Sequence, residues 1–323
     1  MKFTTIYTKY NDIKISNLVL GTDYFGTTVT QQTAFELMDL YVANGGNCLD
    51  TARVYADWLP NGHGASERLI GEWLKSRKNR NALLISTKGG HPPLDNMAQG
   101  RLSRTCIEGD LEESLKALDI EHIDIYWLHR DDLTTPVSEI METLHTLVQK
   151  GKVRAVGCSN WSVQRIKQAN DFALKNNLTP FCASQIQWSL ACSTPDVHKD
   201  PTIVCMNDDE YRGYLDLNMP IMAYSSQAKG FFAKAAAQGL ETINQKAFAR
   251  FCTPENIQRL ERVKQYASEQ HLTPTAVALG YILCNRISGM AIVGCKSTEQ
   301  LKDTLTAQDV TMTEETVNWL QNG

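Results

Sequence analysis

The chain has 323 residues, 42 % of them hydrophobic, with 32 Lys and Arg against 36 Asp and Glu for a net charge of −4. That length and apolar content support one large α/β domain or two small ones. The near-balanced charge gives no reason to expect nucleic acid or a membrane surface as a partner, and no apolar run approaches the roughly 18–20 residues that span a bilayer.

The first residues, Met1 to Ile15, are polar and lack the apolar stretch of a signal peptide. The nine cysteines are odd in number and form no C-x-x-C pair. They read as reduced thiols of a cytoplasmic protein rather than a disulfide framework or a metal site. Residues 3–7 and 13–16, either side of Asn11-Asp12, predict a hairpin. Buried strands and amphipathic helices then alternate. A strand at 18–21 precedes a helix at 33–42, with Ala34, Leu37, Met38 and Tyr41 on one face. A strand at 47–50 precedes a helix at 67–75, which gathers Leu69, Ile70, Trp73 and Leu74. A strand at 82–87 precedes a helix at 107–118, where Ile107, Leu111, Leu115 and Leu118 recur at helical steps. Strands at 123–128 and 153–158 are followed by helices at 137–149 and 163–175. Strands at 181–186, 221–224 and 290–293 complete eight, with helices at 255–270, 274–285 and 298–306.

Ser103 and Ser162 stand as N-caps, and Thr253-Pro254 and Thr273-Pro274 each place Pro at the first helical position. Eight strands, each with its helix, predict a (β/α)8 TIM barrel with a short N-terminal β-hairpin, a single domain over residues 1–323. A doubly wound sheet would want a Gly-rich phosphate turn after the first strand, and Leu20-Gly21-Thr22-Asp23-Tyr24 is not G-x-G-x-x-G. The longest irregular stretch, 191–207, has the length of a lid, a binding loop or a disordered segment.

Catalytic groups in such a barrel collect where the strands end. The second strand ends at Asp50 with Tyr55 just beyond, the third at Lys88, the fourth at His129, the fifth at Ser159-Asn160, the sixth near Gln185 and the seventh at Tyr224-Ser225. Singly, Asp50 is a turn cap, Lys88 a surface lysine and His129 a core histidine. Together they suit carbonyl reduction. Hydride addition builds charge on oxygen, which needs a proton. A free phenol titrates near ~10, and an ammonium beside it favours the phenolate. The expectation is Tyr55 as acid, Lys88 as the group that lowers its pKa, Asp50 as the partner of Lys88, and His129 as hydrogen-bond donor to the developing oxyanion.

Asn47-Cys48-Leu49-Asp50-Thr51-Ala52-Arg53-Val54-Tyr55, Ser86-Thr87-Lys88, Leu128-His129, the run Gly151 to Asn160 and Ala223-Tyr224-Ser225 together resemble the aldo-keto reductase family, over roughly residues 15 to 310. The resemblance implies NADPH as cofactor, with NADH left open, and an aldehyde, ketone or keto-sugar as substrate. It implies that Gly21 and Thr22 face the nicotinamide region and that Asp50, Ser159, Asn160 and Gln185 lie beside it, the last three at the carboxamide. Tyr224 would stack on the ring. Ser225, Ser226, Gln227, Lys229 and Gly230 would form a loop over the pyrophosphate, in a run that departs from the family's Leu- and Gly-rich pattern. Gly294, Lys296, Ser297, Gln300 and Asp303 would hold the adenosine end. Lys296 at a helix start suits a 2′-phosphate. Asp303 and Thr304 replace the family's frequent Glu and Asn.

For substrate, Tyr24, Phe25 and Trp58 are the candidates beside His129, while Trp127 and Trp188 read as core. His91 reaches toward the pocket rim, and Asp57, Arg130 and Asp131 hint at a polar, sugar-like substrate. No metal is expected, and a homo-oligomer is left open. A cofactor-binding regulatory subunit and a Schiff-base lyase using Lys88 are the competing readings.

Overall fold

The computed structural model describes residues 1–323. Phe3–Ile6 (β1) and Ile13–Ser16 (β2) pair antiparallel as a hairpin. Eight parallel strands then close a barrel: Leu18–Gly21 (β3), Cys48–Asp50 (β4), Leu84–Gly89 (β5), Ile123–Leu128 (β6), Val153–Ser159 (β7), Ser184–Gln185 (β8), Ile221–Ala223 (β9) and Gly289–Gly294 (β10). β10 pairs back onto β3, with Gly294 opposite Gly21. The helices that wrap it begin with Gln31–Ala43 (α1), Ala65–Arg77 (α2), Arg104–Leu118 (α3), Val137–Gln149 (α4) and Val163–Lys175 (α5). Pro195–His198 (α6), Asp208–Leu217 (α7), Phe231–Gln238 (α8), Gln245–Phe251 (α9) and Pro254–Gln270 (α10) follow. Pro274–Leu283 (α11), Thr298–Leu305 (α12) and Glu314–Asn322 (α13) complete the set. The expected TIM barrel and hairpin are both present.

The period of two along each strand sorts side chains into two cores. Val19, Cys48, Leu84, Ile125, Trp127, Met222 and Met290 point inward, and Ile6, Ile13 and Ile15 of the hairpin join this cluster. The hairpin is therefore the plug of the barrel interior. The alternate residues, such as Leu20, Leu49, Ile85, Tyr126 and Val156, pack outward against the helices in a larger cluster. Because Leu84 faces in, Ser86 and Lys88 also face in, and Thr87 faces the helices. Gly157 has a steric reason to be glycine: a Cβ there would fall 2.3 Å from the Trp127 indole.

All four predicted caps form. Ser103 accepts from the Cys106 N–H, Ser162 from Arg165, Thr253 from Asn256 and Thr273 from Ala276. The helices expected at 137–149 and 163–175 have those bounds. The sixth strand is shorter than its apolar run: only Ser184 and Gln185 are strand, although the Cys182 N–H still bonds the Val156 carbonyl. The irregular stretch 191–207 contains the single turn α6 and ends at Asn207, which caps α7. α7 buries Tyr214 fully and packs Tyr211, Leu215 and Leu217 half-buried against the core, a stripe confined to ten residues. α8 and α9 form an insertion between β9 and α10 that was not expected. No helix is long and apolar enough to cross a membrane.

Candidate active site

The C-terminal strand ends open into a cleft of about 610 Å³. At its floor Asp50, almost wholly buried, gathers three donors. Its Oδ1 accepts from Ser86 Oγ at 2.7 Å and from Gln185 Nε2 at 2.8 Å, and its Oδ2 accepts from Lys88 Nζ at 2.6 Å. Ser86 in turn accepts from Trp127 Nε1 at 2.7 Å. The Trp127 indole is thus core, as expected, and also the outermost member of the chain that fixes Asp50.

Lys88 spends all three ammonium protons. They go to Asp50, to the Thr51 carbonyl at 2.6 Å and to Tyr55 Oη at 3.0 Å. Since the Tyr55 oxygen accepts from Lys88, the phenol's own O–H is left to point elsewhere, and Tyr55 lines the cleft. Burial opposes charge on Lys88, but Asp50 and Tyr55 outweigh it, so its pKa lies above the ordinary 10.5. The direction expected for Tyr55 is corrected. Burial raises the phenol, Lys88 pulls it down and Asp50 pushes it up, and it ends above 10. Lys88 does lower the phenol, with Asp50 opposing part of that effect, but the cost of burying a phenolate is larger.

His129 lines the cleft with its ring edge-on to Tyr55, 6.1 Å between centroids. Burial, with His91, Arg130 and Lys88 nearby, holds its imidazole well below 6.5, so it is neutral, and its Nδ1 is buried without a partner. His91 is not at the rim. It is buried behind His129, 4.8 Å away ring to ring, with Nδ1 2.6 Å from the Pro92 carbonyl. Arg130 lines the cleft and ties the 191–207 segment to the histidine strand, bonding the His129 carbonyl, Thr202 Oγ1 and Asp200. Asp57 and Asp131 are spent outside the cleft, on Arg53 and His63 and on Arg165 respectively.

The ends of β7 and β8 present Ser159, Asn160 and Gln185 to the same cleft. Asn160, in the left-handed region at φ 58°, is saturated: Nδ2 donates to the His129 carbonyl and Ser159 Oγ, and Oδ1 accepts from Tyr224 Oη at 2.7 Å and the Val204 N–H. Gln185 is not. Its Oε1 is buried with no donor. Tyr224 lines the cleft and leads into Ser225, Ser226, Gln227, Lys229 and Gly230, all cleft residues. Ser225, Ala228 and Lys229 hold positive φ without being glycine, a local strain of the kind found at ligand clamps.

Gly21, Thr22, Gly294, Lys296, Gln300 and Asp303 line the same cleft. A Cβ on Gly21 would come 2.7 Å from Ile292, so the close approach of β3 and β10 requires glycine there. Ser297 is the one cofactor candidate off the cleft lining apart from Asp50, and its hydroxyl caps α12 by accepting from the Gln300 N–H. Lys296 stacks on Tyr24, 4.3 Å from the ring centre, and Lys229 stands 5.9 Å from it.

Of the three aromatic substrate candidates, Tyr24 lines the cleft. Trp58 is exposed beside it, edge-on to Tyr55 at 6.5 Å. Phe25 is a correction: it is 1 % exposed within the main core, because the turn after β3 directs it down against Val29 and the helices. Residues missed from sequence include Asp23, His198, Phe232, Lys234 and Arg250. The last three lie on the unexpected insertion. Asp23 follows Gly21-Thr22 directly and its position past a strand end was the available signal.

A family model described as Aldo/keto reductase family matches residues 17–322. Norsolorinic acid reductase stcV of Emericella nidulans is 30 % identical over 94 % of this chain and 77 % of its own length. Oxidoreductase YrpG of Bacillus subtilis, named as uncharacterized, is 30 % identical over 100 % of this chain and 95 % of its own. Aryl-alcohol dehydrogenase GME11368 of Pestalotiopsis microspora is 27 % identical over 96 % of this chain and 79 % of its own.

Proposed function

Because the chain belongs to the aldo/keto reductase family, we propose that it is an oxidoreductase that reduces a small aldehyde, ketone or keto-sugar to the alcohol with NADPH, Tyr55 giving the proton. The observation that carries this reading is the direction of the Lys88–Tyr55 hydrogen bond. With its oxygen accepting from Lys88 at 3.0 Å, Tyr55 has its proton free for a carbonyl oxygen in the cleft. Asp50 holds Lys88 charged, so that the phenolate left behind meets an ammonium. Neutral His129 carries one N–H and donates it to the same carbonyl oxygen, which orients the substrate and stabilises the charge that grows there.

The residues present fit a nicotinamide cofactor, which when bound supplies the hydride. The orphaned Gln185 Oε1 is an acceptor in need of a donor, and a carboxamide NH2 is one; Ser159 Oγ offers a donor beside it. Tyr224 would provide the ring face, Lys229 would offer its charge to the diphosphate, and Lys296 at the start of α12 would favour the 2′-phosphate of NADPH over NADH. The reading takes residues 1–323 as one barrel domain of a cytoplasmic enzyme, a location that suits its nine free cysteines. The test is loss of NADPH absorbance with a panel of aldehydes, ketones and oxidised sugars. Wild type turns over at least one, and Tyr55→Phe reduces none while binding NADPH as judged by fluorescence quenching. A Tyr55→Phe variant that keeps its rate refutes the assignment.

A further inference from the structure

Asp23 stands just past the end of β3 and lines the same cleft as Tyr55, Lys88 and His129. Its Oδ1 lies 3.7 Å from where a Cβ on Gly294 would be, so the carboxylate sits between the β3 and β10 ends. Lys229, Lys88 and Lys296 all act on it through space, and it acts on Tyr55. None of those lysines closes an ion pair with it; the carboxylate accepts a hydrogen bond from its own backbone N–H. An ionised carboxyl is acceptor-only, with about four lone-pair directions. Most of these are unmet by protein.

That has a consequence for what enters. Cofactor and substrate together displace water from the cleft. A carboxylate stripped of water with no donor opposes binding. A plain alkyl or aryl aldehyde offers no donor, whereas a hydroxyl beside the carbonyl does. An ammonium group would also serve, but the cleft already holds Lys88, Arg130, Lys229, Lys234, Arg250 and Lys296 against Asp23 and Asp303, a balance that repels cations. We propose that Asp23 is a specificity residue, accepting a hydrogen bond from a substrate hydroxyl next to the carbonyl and selecting hydroxyaldehydes and aldoses over their deoxy counterparts. This rests on the reductase reading above.

The experiment compares kcat/KM for glyceraldehyde and propanal, per free aldehyde and at saturating NADPH, in wild type, Asp23→Asn and Asp23→Leu. Wild type is expected to favour glyceraldehyde by roughly 10- to 100-fold. Both variants are expected to lose most of that ratio, mainly through KM for glyceraldehyde. The near-isosteric Asp23→Asn keeps the comparison available if Asp23→Leu fails to fold. A wild type without the preference, or variants with an unchanged ratio, overturns the proposal and leaves the reductase reading standing. So does a variant whose NADPH dissociation constant rises while its ratio holds, which would move Asp23 to the cofactor's ribose hydroxyls. Absence of turnover of both aldehydes by wild type, with NADPH or NADH, overturns the proposal, and the reductase reading falls with it only when the wider panel of aldehydes, ketones and oxidised sugars is also left unreduced.

Discussion

Glu67 offers a measurement of how the barrel treats a charge it has buried. It lies in the first turn of α2, 1 % exposed, and accepts from Thr87 Oγ1 at 2.6 Å. Thr87 is the outward neighbour of inward Lys88, so this carboxyl braces the strand that carries the lysine. Burial raises its pKa from the ordinary 4.5 to about 7, against the smaller lowering by Thr87, Arg53 and Lys88. A folded-state pKa above the unfolded one means that the folded protein holds the proton more tightly. The stability it contributes is complete below about pH 4.5 and is lost as pH rises through about 7. At about 1.4 kcal/mol per tenfold change in proton affinity, the gap amounts to roughly 3 kcal/mol, most of it falling between about pH 5 and 8. Glu67→Gln keeps an oxygen acceptor for Thr87 and removes the titration. Urea denaturation of both proteins across that range isolates the residue by difference, because other groups titrate equally in each. The variant should gain roughly 2–3 kcal/mol relative to wild type between about pH 5 and 8. A stability difference that stays constant with pH would refute the reasoning.

The groups proposed for catalysis predict a flat profile. Tyr55 holds its proton above the ordinary 10, while His91 titrates only at about 4 and His129 well below 6.5. Reductive kcat/KM should therefore show no limb between about pH 6 and 9, and stopped-flow rates with a histidine-like limb near neutrality would contradict the neutral His129. Lys296→Ala should raise KM for NADPH by about fivefold while changing KM for NADH little, since one screened charge on a phosphate contributes on the order of 1 kcal/mol; equal effects on both cofactors would place the lysine elsewhere. Gly157→Ala drives a Cβ to 2.3 Å from the Trp127 ring and should destabilise the fold by roughly 1–3 kcal/mol. Its melting temperature measures this, and weakened activity beyond the stability loss would report the Trp127–Ser86–Asp50 chain.

What the sequence made legible is what strand periodicity constrains. Asp50, Lys88 and Gln185 lie on inward positions at strand ends, an even number of residues past buried Cys48, Leu84 and Ala183, so counting in twos places them together. Tyr224, two residues past inward Met222, inherits the same constraint, whereas Asn160 has the outward parity of Val156 and Cys158 and reaches the cleft where the chain leaves the strand at φ 58°. Phe25 lies four residues past Gly21, where period carries no information, and an aromatic there is as free to enter the core as the cleft. α7, α8 and α9 escaped for a related reason: with 10, 8 and 7 residues they span too few turns for a helical period to be counted. The direction of the Tyr55 shift was illegible for another cause. The sequence supplies the ammonium, but only the structure shows how deeply the phenol is buried, and that burial outweighs the lowering by Lys88, which Asp50 partly opposes. On the proposed reading the buried phenol stores a proton for delivery, and Asp23, which lines the same cleft without an ion-pair partner, is the group whose partner the substrate would bring.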